Sequence, residues 1–139
     1  MIQIYHTDGP RLHGLIYPEY LSMLPVDQQE TMARSMHNSP DIWVGYNDDK
    51  VFAIMGVIPP TLLSDKAYVW FWTTKHFDGS RLACLRVSRR IVADALLRYP
   101  VLVGHCATGA NQSIRWMQWL GATLLPSQGP IIPFRIEAA

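Results

Sequence analysis

The sequence is poor in cysteine and has no long apolar run. Cys84 and Cys106 are too far apart for a zinc site of the C-x-x-C type and too few for a disulfide framework. No stretch approaches the roughly 18 apolar residues of a membrane span, and residues 1–4 do not resemble the start of a signal peptide. We therefore expect two buried thiols in a protein that folds in a reducing cytoplasm.

The chain also lacks an excess of charge of either sign. Lysine and arginine together number 12, aspartate and glutamate number 11, and the formal net charge is +1. A surface that binds nucleic acid usually shows as a basic excess, so we expect no nucleic-acid partner. A balanced total is still compatible with a local basic patch.

Aromatic residues, by contrast, are abundant. The 139 residues include five Trp, six Tyr and four Phe, and 49% of them are hydrophobic, which is enough for one good core but not for two. We therefore predict a single domain over residues 1–139.

Trp70, Trp72, Trp116 and Trp119 admit two interpretations. They fill the core, or part of the set is exposed as a protein-binding patch, where tryptophan is enriched.

The first half of the chain predicts short strands and helices. An apolar run at residues 2–7 predicts a strand, and residues 11–24, interrupted by a proline, predict one or two short helical pieces. A further helix is predicted to start at Asp27, which a glutamate follows three residues later. Its predicted inner side contains Val26, Met32 and Met36, with Ala33 as a further candidate. Residues 41–46 and 51–58 are rich in β-branched and aromatic residues, and the four-residue gap between them predicts a hairpin.

The second half predicts a strand, a long helix and another strand in succession. Residues 67–74 have the strongest strand pattern in the chain. Leu85, Val92 and Leu96 then recur at helical spacing, which predicts a helix over residues 81–99. The remaining predicted elements are a buried strand, a last helix that ends at a glycine, and a closing hairpin, at residues 101–106, 111–120, and 123–125 with 131–136.

This order of elements predicts an α/β fold. Antiparallel hairpins bracket a central β-α-β unit, whose crossover should be right-handed and should place strand 67–74 beside strand 101–106, parallel to it. The expected architecture is a mixed, mostly antiparallel sheet with flanking helices.

The order resembles the fold of the GCN5-related N-acetyltransferases (GNAT). The local resemblance is best at the end, where Asn111 opens the last helix and residues 113–122 lead to Gly121, as in the family segment that ends in Tyr-x-x-x-Gly-Phe. Asn111 is the family position that is kept. By its residue type it either contacts the cofactor or caps the helix.

A closer resemblance is to small GNAT-like proteins encoded by tailed bacteriophages. The matching stretches are residues 70–74, the arginine-rich helix 81–98, residues 114–116 and residues 120–122. That group is known mainly as virion assembly or internal virion proteins. The resemblance implies phage structural proteins or a host protein as partners, and a location in the host cytoplasm during assembly or in the virion.

The GNAT resemblance also implies a place for acetyl-CoA. In active members the strands that match 67–74 and 101–106 splay apart and the cofactor lies in the opening. Its pyrophosphate sits on backbone N–H groups where the long helix begins. The matching cofactor-binding positions here are Trp72, Thr73, Thr74, Gly79, Ser80, Arg81 and Asn111.

The pyrophosphate segment departs from the family pattern. The pattern Gln/Arg-x-x-Gly-x-Gly/Ala falls on residues 76–81, where Gly79 alone fits well. His76 replaces the usual Gln or Arg, and Arg81 replaces the second small residue. Asp78 adds a negative charge where the pyrophosphate would sit. Arg81 could offset that charge by pairing with phosphate, or it is a surface charge at a helix start.

The groups that would move protons depart as well. In many members a Tyr four residues before the final Gly protonates the leaving thiolate. Counting back from Gly121 gives Met117, whose thioether cannot donate a proton. His105, on the strand 101–106, and His76 are the candidate general bases. Either histidine is otherwise a structural or surface residue, and no metal ligands are predicted.

Two functions from different classes follow from these patterns. The first is a GNAT-fold protein without catalysis that serves a phage as a virion component or assembly factor, with no cofactor. The second is an active N-acetyltransferase for an unknown amine, with acetyl-CoA as its cofactor. A third interpretation is a binding module directed at a host protein.

Overall fold

The computed structural model describes residues 2–8, 11, 26–62, 65–74 and 76–138. The helical pieces predicted within 11–24 lie outside these residues, apart from Arg11, which is helical. The described elements in chain order are β1 (Ile2–Thr7), α1 (Val26–His37), β2 (Asp41–Asn47), β3 (Lys50–Ile58), β4 (Ala67–Thr73), a 3₁₀ turn (Asp78–Ser80), α2 (Arg81–Arg98), β5 (Val101–Ala107), α3 (Asn111–Trp119), β6 (Thr123–Leu124) and β7 (Ile131–Glu137).

The fold is α/β, with a mixed seven-stranded sheet in the order β1-β2-β3-β4-β5-β7-β6. β4 and β5 are parallel neighbours, joined by Ala67↔Leu102 and Tyr68↔Val103. The helix α2 connects them, so the predicted β-α-β unit is confirmed. The chain forms two compact units, Met1–Ile58 with Phe71–Ser80, and Pro59–Trp70 with Arg81–Ala139. The single domain predicted over residues 1–139 stays a prediction.

The first unit is built on the β2–β3 hairpin. Pairing runs from Asp41↔Val57 to Asn47↔Lys50, so the turn contains two residues rather than the four predicted. Asp48 occupies the left-handed region at φ 57°, which aspartate tolerates better than most residues, and this allows the tighter turn.

A bulge in the same hairpin places a large ring over a glycine. Gly45 pairs with Ala53 and Tyr46 pairs with Val51, which leaves Phe52 as the extra residue of β3. A Cβ at Gly45 would collide with the Phe52 ring, and Phe52 is 1% exposed. Glycine at position 45 is therefore needed to bury this ring.

The helix α1 packs on β3 through part of its predicted inner side. Met36 is fully buried, as expected from its position in the helical pattern. Val26, by contrast, is 84% exposed, so its assignment to the inner side is wrong. Val26 is the first residue of the helix.

The second unit packs α2 against α3 through small residues. The buried side of α2 is formed by Cys84, Ser88, Ile91, Val92 and Ala95. Of the residues that recur at helical spacing, Val92 is on it, and Leu85 and Leu96 are half-buried. Beside Ser88 lies the buried ring of Trp116 from α3.

A second glycine allows the strands of this unit to close up. β5 and β7 pair in antiparallel fashion from Val101↔Glu137 to Ala107↔Ile131. A Cβ at Gly104 would lie 2.6 Å from Phe134 Cζ and 2.7 Å from the Val69 carbonyl oxygen. Because Gly104 has no side chain, the β4 backbone at Val69 can lie close to β5, and the buried Phe134 ring can pack against Gly104.

The remaining sequence predictions for this half are confirmed. α3 ends before Gly121, whose φ of 99° suits the left-handed position that follows a helix. β6 and β7 form the predicted closing hairpin. Within the described ranges, no helix is long and apolar enough to cross a membrane.

Candidate functional site

The parallel strands β4 and β5 bring a tyrosine and a histidine into contact. Tyr68 pairs with Val103, and His105 lies two residues further along β5 on the same side of the strand. The Tyr68 hydroxyl and His105 Nδ1 are 2.8 Å apart and share a hydrogen bond, with ring centroids 5.9 Å apart. His105 was a candidate base in the sequence, whereas Tyr68 was missed. The alternation of side chains along a strand could have indicated Tyr68 as the neighbour of His105 only if the register between β4 and β5 had been known.

Partial desolvation shifts the pKa values of both side chains toward their uncharged forms, although His105 keeps part of its surface exposed. Desolvation lowers the pKa of His105 below its usual 6.5. Desolvation, and to a lesser degree the nearby Cys106, raise the pKa of Tyr68 above its usual 10.0. At neutral pH a neutral imidazole therefore faces a protonated phenol, and one hydrogen lies between Oη and Nδ1. Such a pair can accept a proton at the imidazole and pass one through the phenol.

Cys84 and Cys106, both in the second unit, are free and buried, as predicted. Burial raises the pKa of the Cys84 thiol to about 12 and also raises the pKa of Cys106. A buried thiol with a raised pKa has very little thiolate, which is the nucleophilic form. Neither cysteine is therefore suited to act as a nucleophile.

The segment that matches the pyrophosphate loop lies in the first unit and is folded on Thr74. The Thr74 N–H donates to the Phe52 carbonyl, and the Thr74 hydroxyl donates to the Val51 carbonyl at 2.6 Å. Thr74 then receives two hydrogen bonds, from the His76 N–H to Oγ1 and from the Phe77 N–H to the carbonyl oxygen. The structure thus brings Thr74 and His76 together through the backbone.

The N–H groups of this segment are the ones that would bind a pyrophosphate, so their hydrogen bonds within the chain matter for cofactor binding. The Ser80 N–H donates to the Phe77 carbonyl at 2.9 Å, so three N–H groups of the segment, those of His76, Phe77 and Ser80, are bonded within the chain. A pyrophosphate cradle needs such groups turned toward the ligand. In this arrangement these three N–H groups are bonded within the chain rather than turned toward a ligand.

Gly79 faces open space. It is exposed, and a Cβ added there would meet no atom within 4 Å. The fold therefore does not require glycine at this position. Ser80, by contrast, is 3% exposed, and its hydroxyl accepts a hydrogen bond from the Asn47 side chain at 3.1 Å. Ser80 is thus held within the protein and does not face solvent.

Two further predicted cofactor positions belong to the second unit. Arg81 is the first residue of α2 and is exposed. With the Gln112 amide oxygen turned toward it, Arg81 donates to that oxygen at 2.9 Å from Nη2. Asn111 is the first residue of α3 and is exposed. The N-cap residue of α3 is Ala110, and no side chain caps the helix, so the capping interpretation of Asn111 is wrong.

The position of the family's general acid is part of the core. Met117 lies on α3 and is 0% exposed. A fully buried thioether packs and cannot deliver a proton to a ligand. Met117 is therefore a packing residue of the core.

The tryptophan set divides between the two interpretations. Trp70 and Trp116 are buried at 6% and 7% exposure, and Trp72 is half-buried with Thr73 on the second half of β4. Trp119 is 43% exposed, and the Arg89 guanidinium lies over its ring at 4.4 Å. Core filling accounts for most of the set, and Trp119 remains available to a partner.

The predicted site residues are thus distributed over both units. Trp72, Thr73, Thr74, His76, Gly79 and Ser80 belong to the first unit, and Arg81, His105 and Asn111 belong to the second. The opening expected between β4 and β5 beyond Trp70 stays a prediction. Within the described part of the chain, no group of three or more His, Cys, Asp or Glu side chains could hold a metal ion.

Comparison with known proteins identifies the fold. No family model and no curated protein matches the sequence. Among solved structures, a GNAT-family acetyltransferase from Streptococcus pneumoniae matches with a TM-score of 0.71 at 11% identity, covering 100% of both chains. The IAA acetyltransferase from Bacillus cereus matches with a TM-score of 0.70 at 9% identity, covering 99% of this chain and 100% of its own.

A third solved structure was determined with a cofactor. The N-acetyltransferase PseH of Campylobacter jejuni, in complex with acetyl coenzyme A, matches with a TM-score of 0.61 at 8% identity over 100% of both chains. The chain therefore has the GNAT fold. Identities this low establish the fold and leave its function to the residues described above.

Proposed function

We propose that this GNAT-fold chain does not catalyse acetyl transfer and instead serves a bacteriophage as a virion component or virion assembly factor. The absence of catalysis is supported by Met117, which the sequence resemblance matches to the thiolate-protonating Tyr and which is completely buried. A substitution at the loop alone could be compensated by other contacts. A core methionine leaves no group at this position that could deliver the proton.

The pyrophosphate segment supports the same proposal. Its N–H groups at His76, Phe77 and Ser80 are used within the chain, and Asp78 adds a negative charge to the segment. Together these features disfavour an anionic ligand.

The phage role is supported by the sequence resemblance in residues 70–74, 81–98, 114–116 and 120–122. The expected partners are phage structural proteins or a host protein, and the expected location is the host cytoplasm during assembly or the virion.

Isothermal titration tests the absence of cofactor binding. Acetyl-CoA titrated into the protein at up to about 1 mM should give no binding heat. The Campylobacter jejuni N-acetyltransferase, which was crystallised with acetyl coenzyme A, serves as the positive control. Micromolar binding by this chain would contradict the proposal.

The virion role has its own measurement. Quantitative mass spectrometry of purified particles from the phage that encodes the chain should find it at a fixed copy number. For an assembly factor that leaves the particle, a phage lacking the gene should form defective particles. Normal particles from the deletion phage, without the protein in wild-type virions, would contradict both forms of the role.

An active N-acetyltransferase is the second candidate, and the Tyr68–His105 pair is the observation that favours it. A neutral imidazole hydrogen-bonded to a phenol is equipped to accept a proton from an amine. The open space at Gly79 also favours it, as do solved structures that are acetyltransferases. If acetyl transfer is detected, His105→Gln should lower kcat by about 10²–10⁴-fold. His6→Gln, an exposed histidine of the first unit, is the matched control.

A further inference from the structure

The helices α2 and α3 hold an uneven share of the charge. They contain six of the 12 basic residues and one of the 11 acidic residues, which gives 6 − 1 = +5. The rest of the chain then carries 6 − 10 = −4, so the total of +1 conceals a strong separation. The residues concerned are Arg81, Arg86, Arg89, Arg90, Arg98, Arg115 and Asp94.

Three contacts show that the two helices run side by side in the same direction. Arg81 contacts Gln112, Ser88 accepts a hydrogen bond from Trp116 at 3.0 Å, and Arg89 stacks on Trp119. The contacts advance by eight residues along α2 and by seven along α3. The two helices therefore present one continuous surface, which we call the α2–α3 face.

The basic residues of this face are available to a partner. Arg86, Arg89, Arg90 and Arg115 are all exposed. Among the residues that the structure describes, none forms an ion pair with Arg86, Arg90 or Arg115, and the Arg90–Asp94 pair allowed by their spacing is not formed. Unpaired guanidinium groups on adjacent helical turns repel one another, and an acidic partner relieves that repulsion.

The same face also exposes large apolar side chains. Leu82 is 61% exposed and Leu97 is 87% exposed, and they lie on one stripe of α2 with Arg86 and Arg89 at helical spacing. Trp119 adds an exposed ring that the Arg89 guanidinium holds in place. Tryptophan and arginine with leucine at the margins form the composition of a protein interface.

The combination of charge and apolar surface selects the class of partner. Arginine recognises carboxylates and phosphates equally well by paired hydrogen bonds. A phosphate backbone would leave Leu82 and Leu97 in water, whereas an amphipathic protein segment would bury them. We infer that the α2–α3 face docks an acidic, amphipathic helical segment of another protein, with carboxylates on the arginines and apolar side chains on Leu82, Leu97 and Trp119. This inference stands independently of whether the chain has acetyltransferase activity.

Fluorescence anisotropy with defined probes tests the inference. The first probe is a labelled synthetic helix of about 20 residues, with leucine along one face and glutamate elsewhere. The second has the same composition in an order that disperses the leucines. The third and fourth are single-stranded and duplex DNA of about 20 nucleotides. The first probe should bind most tightly, and its affinity should fall as salt is raised from about 50 to 300 mM.

Charge-reversal variants locate the binding surface. Arg86→Glu with Arg89→Glu should weaken the first probe by at least about 10-fold. Lys50→Glu with Lys66→Glu changes the net charge by the same amount outside the two helices and should change the affinity by less than about 3-fold. Trp119→Ala, which leaves the charge unchanged, should weaken binding several-fold, and an unchanged affinity would contradict the contact with this ring. Circular dichroism of each variant establishes that it is folded.

Four outcomes of these measurements would overturn the inference. No binding of the ordered helix at about 1 mM removes the docking surface. Tighter binding of either DNA marks the face as a nucleic-acid surface. Equal losses in the two charge-reversal variants show attraction by net charge alone. Equal binding of the ordered and dispersed peptides removes the role of the leucines.

Discussion

The indole Nε1 of Trp116 donates a hydrogen bond to the Ser88 hydroxyl, 3.0 Å away, in the buried contact between α3 and α2. The Ser88 hydroxyl in turn donates to the Leu85 carbonyl at 3.0 Å. Both residues are almost fully buried, at 7% and 2% exposure. The Ser88 hydroxyl thus accepts the hydrogen bond of the buried indole N–H and joins α3 to α2.

Ser88→Ala should destabilise the protein by about 1–3 kcal/mol, because it removes the hydrogen bond that Ser88 accepts from Trp116 in the core. Urea unfolding followed by tryptophan fluorescence measures this change. The double variant Ser88→Ala with Trp116→Phe removes donor and acceptor together. If the hydrogen bond matters, the double variant should be less destabilised than the sum of the single changes. Strict additivity would contradict the assignment.

Gly104→Ala should destabilise the protein by about 1–3 kcal/mol, because its methyl group would meet the Val69 carbonyl oxygen and the Phe134 ring. Backbone and a buried ring have little freedom to move. Gly79→Ala is the matched control: it enters open space and should alter stability by less than about 1 kcal/mol. Thermal and urea unfolding compare the two, and similar values would argue against the close approach of β4 and β5.

Met117→Ala should cost about 2–5 kcal/mol, as expected for truncating a fully buried methionine. Met117→Leu keeps the volume and should cost less than about 1.5 kcal/mol. The unfolding free energy in urea is again the measurement. A negligible cost for the alanine variant would mean that this position is not packed. It would also remove the observation on which the non-catalytic proposal rests.

The order and type of the elements could be predicted because they depend on local pattern. The strand at residues 67–74, the helix that starts at Arg81 and the glycine that ends α3 carry their signals in adjacent residues. The hairpin turn was predicted too long, because the tolerance of Asp48 for a positive φ decides between two residues and four.

The candidate site was less predictable than the fold. His105 was identified by its residue type, but Tyr68 was not, because their contact depends on the register Tyr68↔Val103 between strands separated by a whole helix. The hydrogen bonds of Thr74 were missed for the same reason: Val51 and Phe52 are distant in sequence. The capping role considered for Asn111 failed because the helix begins at Asn111 itself, one residue earlier than a cap at that position requires.

The lowered pKa of His105 predicts how stability depends on pH. Its folded pKa lies below the 6.5 of the unfolded chain, so the unfolded state binds more protons as the pH falls through that interval. The stability that His105 contributes is complete above about pH 6.5 and is lost as the pH falls toward the folded value. His105→Gln should therefore lose less stability than the wild type between about pH 7.5 and 5. Parallel pH profiles would contradict this.

The two thiols should be unreactive in the folded protein and reactive in the unfolded one. A thiol with a pKa of about 12 is only about 10⁻⁴ ionised at pH 8, and Cys84 is also 6% exposed. Cys106 is 3% exposed and its pKa is raised in the same direction. A disulfide reagent at pH 8 should label neither thiol of the native protein within minutes, and both thiols in urea. The variant Cys106→Ser assigns any labelled thiol. Rapid native labelling of Cys84 would mean that α2 separates from its neighbours, and the rigid α2–α3 face inferred from the Trp116–Ser88 contact would then be wrong.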